Sequence, residues 1–186
     1  KLVYGDSNPG RVSMAFGGVG RNITENIARM GGSIAMLSVT GDDNMGLGAR
    51  EHLQKLGVDV SMIGSLSGRT SAIYLSILNS EKDMELAICD MDIISHITPE
   101  LIRKYSDIIR RSKEALCYAT EEFSDMLVFL DPVSAAKAPK AEKIAGRFTC
   151  IKPNIMEAEI LSGMEIKDES DLKKAAGRLM DMGVEK

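Results

Sequence analysis

Four short apolar runs that alternate with longer amphipathic stretches constrain the fold of this chain more than any other feature. Each run is apolar at both odd and even positions, which is typical of strands in a parallel sheet that is covered on both faces. Strands that alternate with helices predict an α/β fold. The predicted core strands are 33–41, 115–119, 127–133 and 148–154.

The stretches between these runs carry helix start and stop signals. An apolar stripe over 22–30 predicts a helix that ends at Gly31, and Thr98 followed by Pro99 is typical of a helix start. The same signals predict two further helices, over 42–57 and 168–183.

One region departs from this alternation and predicts a small separate sheet. Residues 69–79 and 84–91 are predicted to be two strands joined by the polar turn "NSEKD". The alternating stretch "RVSMAF" predicts a third strand, over 10–17. We expect these strands to form a lid and not to join the core sheet.

Length and charge limit the functional classes. A chain of 186 residues can bury one core large enough for an enzyme domain. The net charge of −4 and the lack of a basic cluster argue against a nucleic-acid partner. No apolar run approaches the ~20 residues of a spanning helix, and no leader pattern opens the chain. We therefore expect a soluble protein without nucleic-acid or membrane partners.

The cysteines and histidines indicate neither a metal motif nor a redox motif. Cys89, Cys117 and Cys150 each lie singly in an apolar run, so we expect buried, reduced thiols and a cytoplasmic protein. His52 and His96 lie far apart in the sequence, without a cysteine or carboxylate pattern around them.

A glycine-rich stretch precedes the first predicted helix. The sequence "AFGGVGRN" places Gly17, Gly18 and Gly20 ahead of Asn22. It lacks the third glycine of a dinucleotide fingerprint and the Gly-Lys-Ser/Thr ending of a P-loop. Two interpretations remain. Either bare main chain lets a flat hydroxylated ligand approach, or this is a tight strand-to-helix turn with Asn22 as its cap.

A second motif follows the last predicted core strand. Lys152, Pro153 and Asn154 end that strand, and a helix begins whose first turn carries Glu157. The spacing between Asn154 and Glu157 is that of a simple capping box. The same spacing equally suits a metal site in which the Glu157 carboxylate holds Mg²⁺ through water and the Asn154 amide contacts a nucleotide phosphate. Water-mediated binding is expected because Mg²⁺ keeps much of its water shell.

Together, the two motifs resemble the ribokinase-like (PfkB) carbohydrate kinase family, whose members carry an early Gly-Gly-x-Gly-x-Asn and a later Lys-Pro-Asn-x-x-Glu. The stretches "DSNPGRVSMAFGGVGRNITENIARMGG", "LAICDMDII" and "FLDPVSAAK" resemble its pseudouridine kinase branch. The resemblance implies a ribokinase-like three-layer α/β/α sandwich with a mainly parallel central sheet and a small β-sheet lid. Residues 1–186 would form a single, incomplete domain of this kind.

The resemblance also implies an activity and an acceptor site. The activity is transfer of the γ-phosphoryl group of ATP to the 5′-hydroxyl of a ribose-containing substrate, with pseudouridine as the expected one. Gly17 and Gly18 would lie under the ribose, and Asn22 would hydrogen-bond its hydroxyls. Ser7 and Asn8 would lie near the base and Lys137 would reach it from the sheet side, although residues 7–10 equally suit an ordinary turn.

The resemblance places the nucleotide and its metal ion at the second motif. Asn154 and Lys152 would contact ATP, and Glu157 would hold Mg²⁺. Asp131, at the end of a core strand, is a further metal candidate, but it could equally be a turn residue before Pro132.

Two features depart from the family pattern, and two further points stay open. The family's catalytic aspartate lies in a glycine-rich segment that we expect beyond Lys186, so the C-terminal part of the domain would be absent here. The connection over 119–127 is shorter than the dozen or so residues of a crossover, which suggests missing residues. A kinase for ribose, another sugar or a purine nucleoside, or an inert nucleoside-binding module, remains an alternative. An apolar lid could also pair two subunits in a homodimer.

Overall fold

The computed structural model divides into two compact units, Lys1–Arg103 and Lys104–Lys186, which are taken separately below. The prediction of a single domain over 1–186 stays a prediction. Cys117, Lys137 and most of the short connection over 119–127 lie outside the described residues. The structure describes residues 3, 5–112, 114–116, 127–132, 135 and 138–186.

The core of the first unit forms around a parallel strand pair. Strand β1 (Ser38–Gly41) pairs with β2 (Ile63–Leu66) in register from its first residue to its last. Val39 and Ile63 are buried on this pair. The sequence predicted β1 but not β2, because "IGSL" contains glycine and serine and carries no strong strand signal.

In the sequence, one helix precedes β1 and another lies between β1 and β2. Helix α1 (Val19–Arg29) and helix α2 (Asn44–Lys55) lie where the apolar spacing predicted them. Leu53 of α2 is 1% exposed and forms a buried cluster with Val58 and Ile63. A leucine buried to this degree contributes about 2 to 5 kcal/mol to the free energy of unfolding, judged by leucine-to-alanine substitutions in other cores.

The predicted lid contains one antiparallel hairpin. Strands β3 (Ile73–Leu78) and β4 (Met84–Asp90) lie inside the predicted ranges 69–79 and 84–91. The prediction of a strand over 10–17 is wrong, because the structure assigns no strand there. The alternation in that stretch buries little: Val12 is 99% exposed and Met14 is 65% exposed. Without a hydrogen-bonded neighbour, an alternating stretch does not become a strand.

Two aspartates after β1 hold the start of the hairpin. Asp43 accepts hydrogen bonds from the Ser71 hydroxyl (2.6 Å) and the Ser71 backbone N–H (2.7 Å), and it also caps α2 by accepting from the N–H of Gly46. Asp42 accepts from the Ser67 hydroxyl and the Gly68 N–H. These bonds to the charged form lower the pKa of both carboxyl groups. The residues that lead into β3 are therefore tied to the end of β1.

The helix predicted to begin at Thr98 is two short helices. The Thr98 hydroxyl accepts from the Leu101 N–H, as expected of an N-cap. Helix α3 (Pro99–Lys104) ends at Lys104, and after Tyr105 helix α4 (Ser106–Arg111) follows. Tyr105 has φ −108° and ψ 12°, which breaks the regular helical repeat.

The second unit contains a parallel three-stranded sheet. Strands β5 (Glu114–Leu116), β6 (Leu127–Leu130) and β7 (Cys150–Ile151) are hydrogen-bonded in that order. Each overlaps a predicted core strand. Lys186 lies beside β7, where its N–H donates to Thr149 and its carbonyl accepts from Ile151.

Helices complete the second unit. The short helix α5 (Pro139–Glu142) had no sequence prediction. Helix α6 (Ile155–Ser162) follows its predicted cap Asn154, and α7 (Glu169–Asp181) lies inside the predicted range 168–183 with Asp168 as its N-cap. Helices α6 and α7 bury Ala158, Leu161, Ala175 and Leu179. Across the described parts of both units, no helix is long and apolar enough to span a bilayer.

Candidate functional site

The glycine-rich turn leads directly into α1. Gly18 is the N-cap residue, with φ 94° and ψ 130°, a conformation that glycine adopts at little cost and other residues rarely adopt. The Asn22 backbone N–H donates to the Gly18 carbonyl oxygen over 2.9 Å. The Asn22 side chain does not cap the helix, so the interpretation of Asn22 as a cap is wrong.

The main chain of this turn is open to solvent. Gly17, Gly18 and Gly20 are exposed, and a Cβ built on any of them would meet no atom within 4 Å. The backbone of Gly17 does not have positive φ, so neither packing nor conformation requires glycine there. A bare main chain at Gly17 is therefore available to a ligand.

The Asn22 side chain is held by its neighbour Arg21. The Arg21 guanidinium donates to Asn22 Oδ1, and Arg21 Nε donates to the Gly17 carbonyl oxygen over 3.1 Å. The Arg21 side chain is only 12% exposed, whereas Asn22 is exposed. Two of the predicted acceptor-site residues are thus joined through Arg21.

Arg21 is in turn anchored by Glu25. The Glu25 carboxylate accepts hydrogen bonds from Arg21, from Arg29 (2.8 Å) and from His52 Nε2 (3.1 Å). These partners, Arg21 foremost, lower the pKa of Glu25 to about 2, so the carboxylate stays ionised at neutral pH. The His52 ring also packs on Phe16, with 5.4 Å between ring centroids. The network joins α1 to α2 and to the residue before the glycines.

Sequence reasoning missed this network. Arg21, Glu25 and Arg29 lie four residues apart on one helix, and that spacing of opposite charges could have revealed their pairing. The contribution of His52 could not have been found in this way, because it lies 27 residues from Glu25 in the sequence.

The segment before the glycines forms a local turn. Asn8 Oδ1 accepts from the Val3 N–H, and Asn8 Nδ2 donates to the carbonyl oxygens of Val3 and Asp6. Both amide donors of Asn8 are therefore used within the turn, and the geometry favours the ordinary-turn interpretation for this residue. The Ser7 N–H donates to Asp6 Oδ1, and Ser7 is exposed.

In the second unit, Asn154 and Glu157 form a complete capping box. The Glu157 N–H donates to Asn154 Oδ1 over 2.9 Å, and the Asn154 N–H donates to Glu157 Oε2 over the same distance. Asn154 Nδ2 also donates to Glu157 Oε1 over 2.8 Å. Glu157 is only 2% exposed. The capping-box interpretation is correct as local structure, and each carboxylate oxygen keeps further lone-pair capacity.

Asp131 and Lys152 meet at the carboxyl ends of β6 and β7. Lys152 Nζ lies 3.2 Å from Asp131 Oδ2, and the Lys152 backbone N–H donates to the Leu130 carbonyl oxygen. The Asp131 side chain is 16% exposed and the Lys152 side chain is 79% exposed. The ammonium group of Lys152 is thus accessible from solvent at this edge of the sheet.

The acidic side chains near the carboxyl ends of β6 and β7 suit a divalent ion that keeps its water shell better than an ion coordinated only by protein side chains. Within the described ranges, no group of three or more histidine, cysteine or acidic side chains converges as a metal site. Mg²⁺ is commonly held by one or two carboxylates while keeping several waters. Asp131, with 16% of its side chain exposed, is accessible to such an ion, whereas Glu157, 2% exposed, offers only the lone pairs that its bonds to Asn154 leave over.

A cavity of about 500 Å³ opens beside Asn154 in the second unit. Apart from Asn154 and Lys186, its lining is apolar or proline, and α6 and α7 form most of its walls. The lining residues are Ile151, Pro153, Asn154, Ile155, Ala158, Leu172, Ala176, Leu179, Met180, Val184 and Lys186.

The thiols of the described cysteines are free. Cys150 is partly buried, but Cys89 lies exposed on β4, so the expectation that it is buried is wrong. The apolar run around Cys89 belongs to a hairpin whose two faces are both largely exposed.

Comparison with known proteins relates the chain to sugar and nucleoside kinases. Residues 3–186 match the family described as pfkB family carbohydrate kinase. The chain is 36% identical over 185 residues to the pseudouridine kinase of Escherichia coli K12, covering 94% of this chain and 59% of that protein.

Solved structures show the same similarity. A sugar kinase from Clostridium perfringens superimposes with a TM-score of 0.81 and 34% identity, covering 98% of this chain and 61% of that one. Arabidopsis thaliana ribokinase, solved with ribose and ATP, has a TM-score of 0.70 and 18% identity, covering 90% of this chain and 58% of that one. These similarities confirm the ribokinase-like α/β fold class. The chain spans about three fifths of the length of each relative.

Proposed function

The chain belongs to the pfkB family of carbohydrate kinases, and on this basis we propose that the protein is an ATP-dependent nucleoside kinase. It transfers the γ-phosphoryl group of ATP to the 5′-hydroxyl of a ribose-containing nucleoside, and pseudouridine is the preferred acceptor. The observation that carries the proposal is the 36% identity to a pseudouridine kinase over 94% of the chain. The chemistry is in-line phosphoryl transfer, in which the protein mainly positions the reactants and neutralises charge.

The first unit supplies the acceptor side in this proposal. The bare main chain at Gly17 and Gly18 receives the ribose, and the exposed amide of Asn22 hydrogen-bonds its hydroxyls. Support comes from the open space at both glycines and from the firm attachment of Asn22 to Arg21. Of the base-recognition candidates, Ser7 keeps its hydroxyl available, whereas Asn8 uses both amide donors in its own turn.

The second unit supplies the nucleotide side. Lys152, exposed and beside Asp131, provides a mobile positive charge for a phosphate, and Asn154 contacts ATP beside the cavity that it lines. Glu157 and Asp131 would hold Mg²⁺ through water, and the ion would neutralise charge on the phosphates. The general base is expected in the glycine-rich segment characteristic of the family.

The identity of the phosphoryl acceptor is tested by comparing kcat/KM for pseudouridine, uridine, ribose and adenosine with the full-length protein. Pseudouridine carries a ring N–H that uridine lacks, so a site that binds this group leaves a buried acceptor unpaired when uridine enters. We expect pseudouridine to be preferred over uridine by well above ~10-fold.

Other outcomes of this comparison are equally decisive. Equal use of pseudouridine and uridine, or a preference for ribose, would retain a family kinase but reject pseudouridine as its substrate. Binding of a nucleoside without phosphoryl transfer would support the inert binding module instead.

We also propose that the hairpin pairs two subunits. One face of β3 and β4 carries five aliphatic side chains, and four of them are 40% to 56% exposed. A contiguous exposed apolar patch of this kind on a two-stranded hairpin is typical of an interface. The five aliphatic residues are Ile73, Leu75, Ile77, Leu86 and Ile88, and Asp90 lies at the end of the same face, opposite Ile73.

Sedimentation velocity of the full-length protein tests the homodimer. We expect a dimer for the wild type and a monomer for Leu75→Asp, because a charge in the middle of the aliphatic face would be buried without a partner. Ser76→Asp is the matched control, because Ser76 lies on the opposite face of the same strand. A monomeric wild type, or a dimeric Leu75→Asp, would show that the hairpin does not form the interface.

The cellular location belongs to the same proposal. An ATP-dependent kinase works where ATP is made, and the free thiols of Cys89 and Cys150 suit a reducing compartment. We therefore place the protein in the cytoplasm.

A further inference from the structure

Arg21 connects three acceptor groups around the proposed sugar site. Nε donates to the Gly17 carbonyl oxygen, one terminal nitrogen donates to Asn22 Oδ1, and the other donates to Glu25 Oε2. All three nitrogens of the guanidinium are thus used, each toward a different partner. With 12% of its side chain exposed, Arg21 lies under the site and not on its open surface.

We propose that Arg21 is a positioning residue that presents the Asn22 amide to the acceptor as a hydrogen-bond donor. This inference rests on the proposed function, because it assigns a role within the same sugar site. A guanidinium has five N–H donors and no acceptor, so the amide must turn its oxygen toward Arg21. Asn22 Nδ2 then faces away from Arg21, and in the described part of the chain it donates to no protein group.

The Asn22 N–H donor that Arg21 orients determines which group of the ligand can bind there. Asn22 Nδ2 can bind only an acceptor, so it suits a sugar hydroxyl whose oxygen lone pair faces the helix. Without Arg21, the amide could rotate and offer either its oxygen or its nitrogen. The orientation that binds the sugar would then be only partly populated, which weakens acceptor binding without changing the bound complex.

Glu25 makes the position of Arg21 rigid. Its carboxylate binds Arg21 on one oxygen and Arg29 on the other, and His52 bonds to it from α2. Arg29 pairs with the same carboxylate on the same helix, but within the described part of the chain it bonds to neither Gly17 nor Asn22. Replacing Arg29 therefore changes the charge balance at Glu25 in the same way and leaves the contacts to the sugar site intact.

The experiment compares Arg21→Met with Arg29→Met in the full-length protein. We expect Arg21→Met to raise KM for the sugar or nucleoside about 10-fold or more, as befits loss of a charge-assisted orienting bond. KM for ATP and kcat should stay within about threefold, because the lost interaction acts on acceptor binding. Arg29→Met should leave KM within about twofold of wild type. The dissociation constant for the acceptor, measured by calorimetry, should change in parallel.

Variants that keep the positive charge distinguish the loss of the Arg21 hydrogen bonds from the loss of its charge. Arg21→Lys keeps a cation beside Glu25, but one ammonium does not reproduce the planar fork that reaches all three partners, so KM should still rise. Arg29→Lys is its control. This pair also serves if Arg21→Met does not fold, which circular dichroism will reveal.

Several results would overturn the inference. These are an Arg21→Met or Arg21→Lys protein with unchanged acceptor affinity, or an Arg29→Met protein that loses as much affinity as Arg21→Met. Failure of the proposed function is recognised separately, from the activity and ligand binding of the wild-type protein. A wild type that phosphorylates another sugar is tested with that sugar, and one that binds without transfer is tested by dissociation constant alone. A wild type that binds no sugar or nucleoside refutes both.

Discussion

Valine in place of Gly17 is expected to weaken acceptor binding about 100-fold while leaving the fold intact. A side chain at this position would meet no protein atom within 4 Å, and Gly17 does not need positive φ. The stability of the protein should therefore change by no more than about 0.5 kcal/mol. A branched side chain would instead occupy the space assigned to the sugar, and a clash of up to about 3 kcal/mol corresponds to about 100-fold in affinity.

Gly20→Ala is the matched control for this prediction. Gly20 is equally open, but it lies within the first turn of α1 and is not assigned to the sugar. We expect unchanged acceptor KM and a gain of roughly 0.5 to 1 kcal/mol in stability, because alanine favours a helix over glycine. Gly18 is unsuitable as a control, because its φ of 94° would strain any other residue. A Gly17→Val protein with wild-type acceptor KM would move the sugar away from this turn.

The second large effect is expected for Glu157→Gln. If the carboxylate orders the water shell of Mg²⁺, removing its charge should lower kcat by about 10- to 100-fold and raise the Mg²⁺ concentration needed for half-maximal rate. The amide side chain keeps an acceptor for one Asn154 donor and loses the acceptor for the other. We therefore also expect a loss of about 1 to 2 kcal/mol in the free energy of unfolding.

Asp171→Asn separates these two effects. Asp171 is the corresponding acidic residue of α7, three positions after the N-cap Asp168, and its N–H donates to the Asp168 side chain over 2.9 Å. The substitution removes one negative charge from a helix start in the same unit. Steady-state rates at graded Mg²⁺ should show no change for Asp171→Asn. If Glu157→Gln shows the same Mg²⁺ dependence as wild type, then Glu157 serves only the capping box.

Features with local causes could be predicted well. The capping box was expected from a spacing of three residues, and Asn154 and Glu157 form it. The helix ends and the hairpin turn were expected from glycines and from "NSEKD", and Asn79 in that turn accepts from the N–H groups of Glu81 and Asp83. The interactions that create these features lie within a few residues, so the sequence shows both partners at once.

Predictions failed where a distant partner was needed. The stretch over 10–17 alternates like a strand, but a strand forms only where a neighbouring strand accepts its backbone hydrogen bonds. The cap interpretation of Asn22 failed for a local reason, because α1 begins at Val19 with Gly18 as its N-cap and Asn22 therefore lies inside the helix.

The sequence by itself determined the family motifs, the alternation of strands and helices, and the residue types offered to sugar, nucleotide and metal. Only the tertiary structure decided how those residues are held. It brought Ser71 to Asp43 across 28 residues and His52 to Glu25 across 27, and it left the main chain at Gly17 open. The physical reason is that burial and long-range hydrogen bonds depend on the neighbours that folding brings together, and a linear pattern does not identify those neighbours.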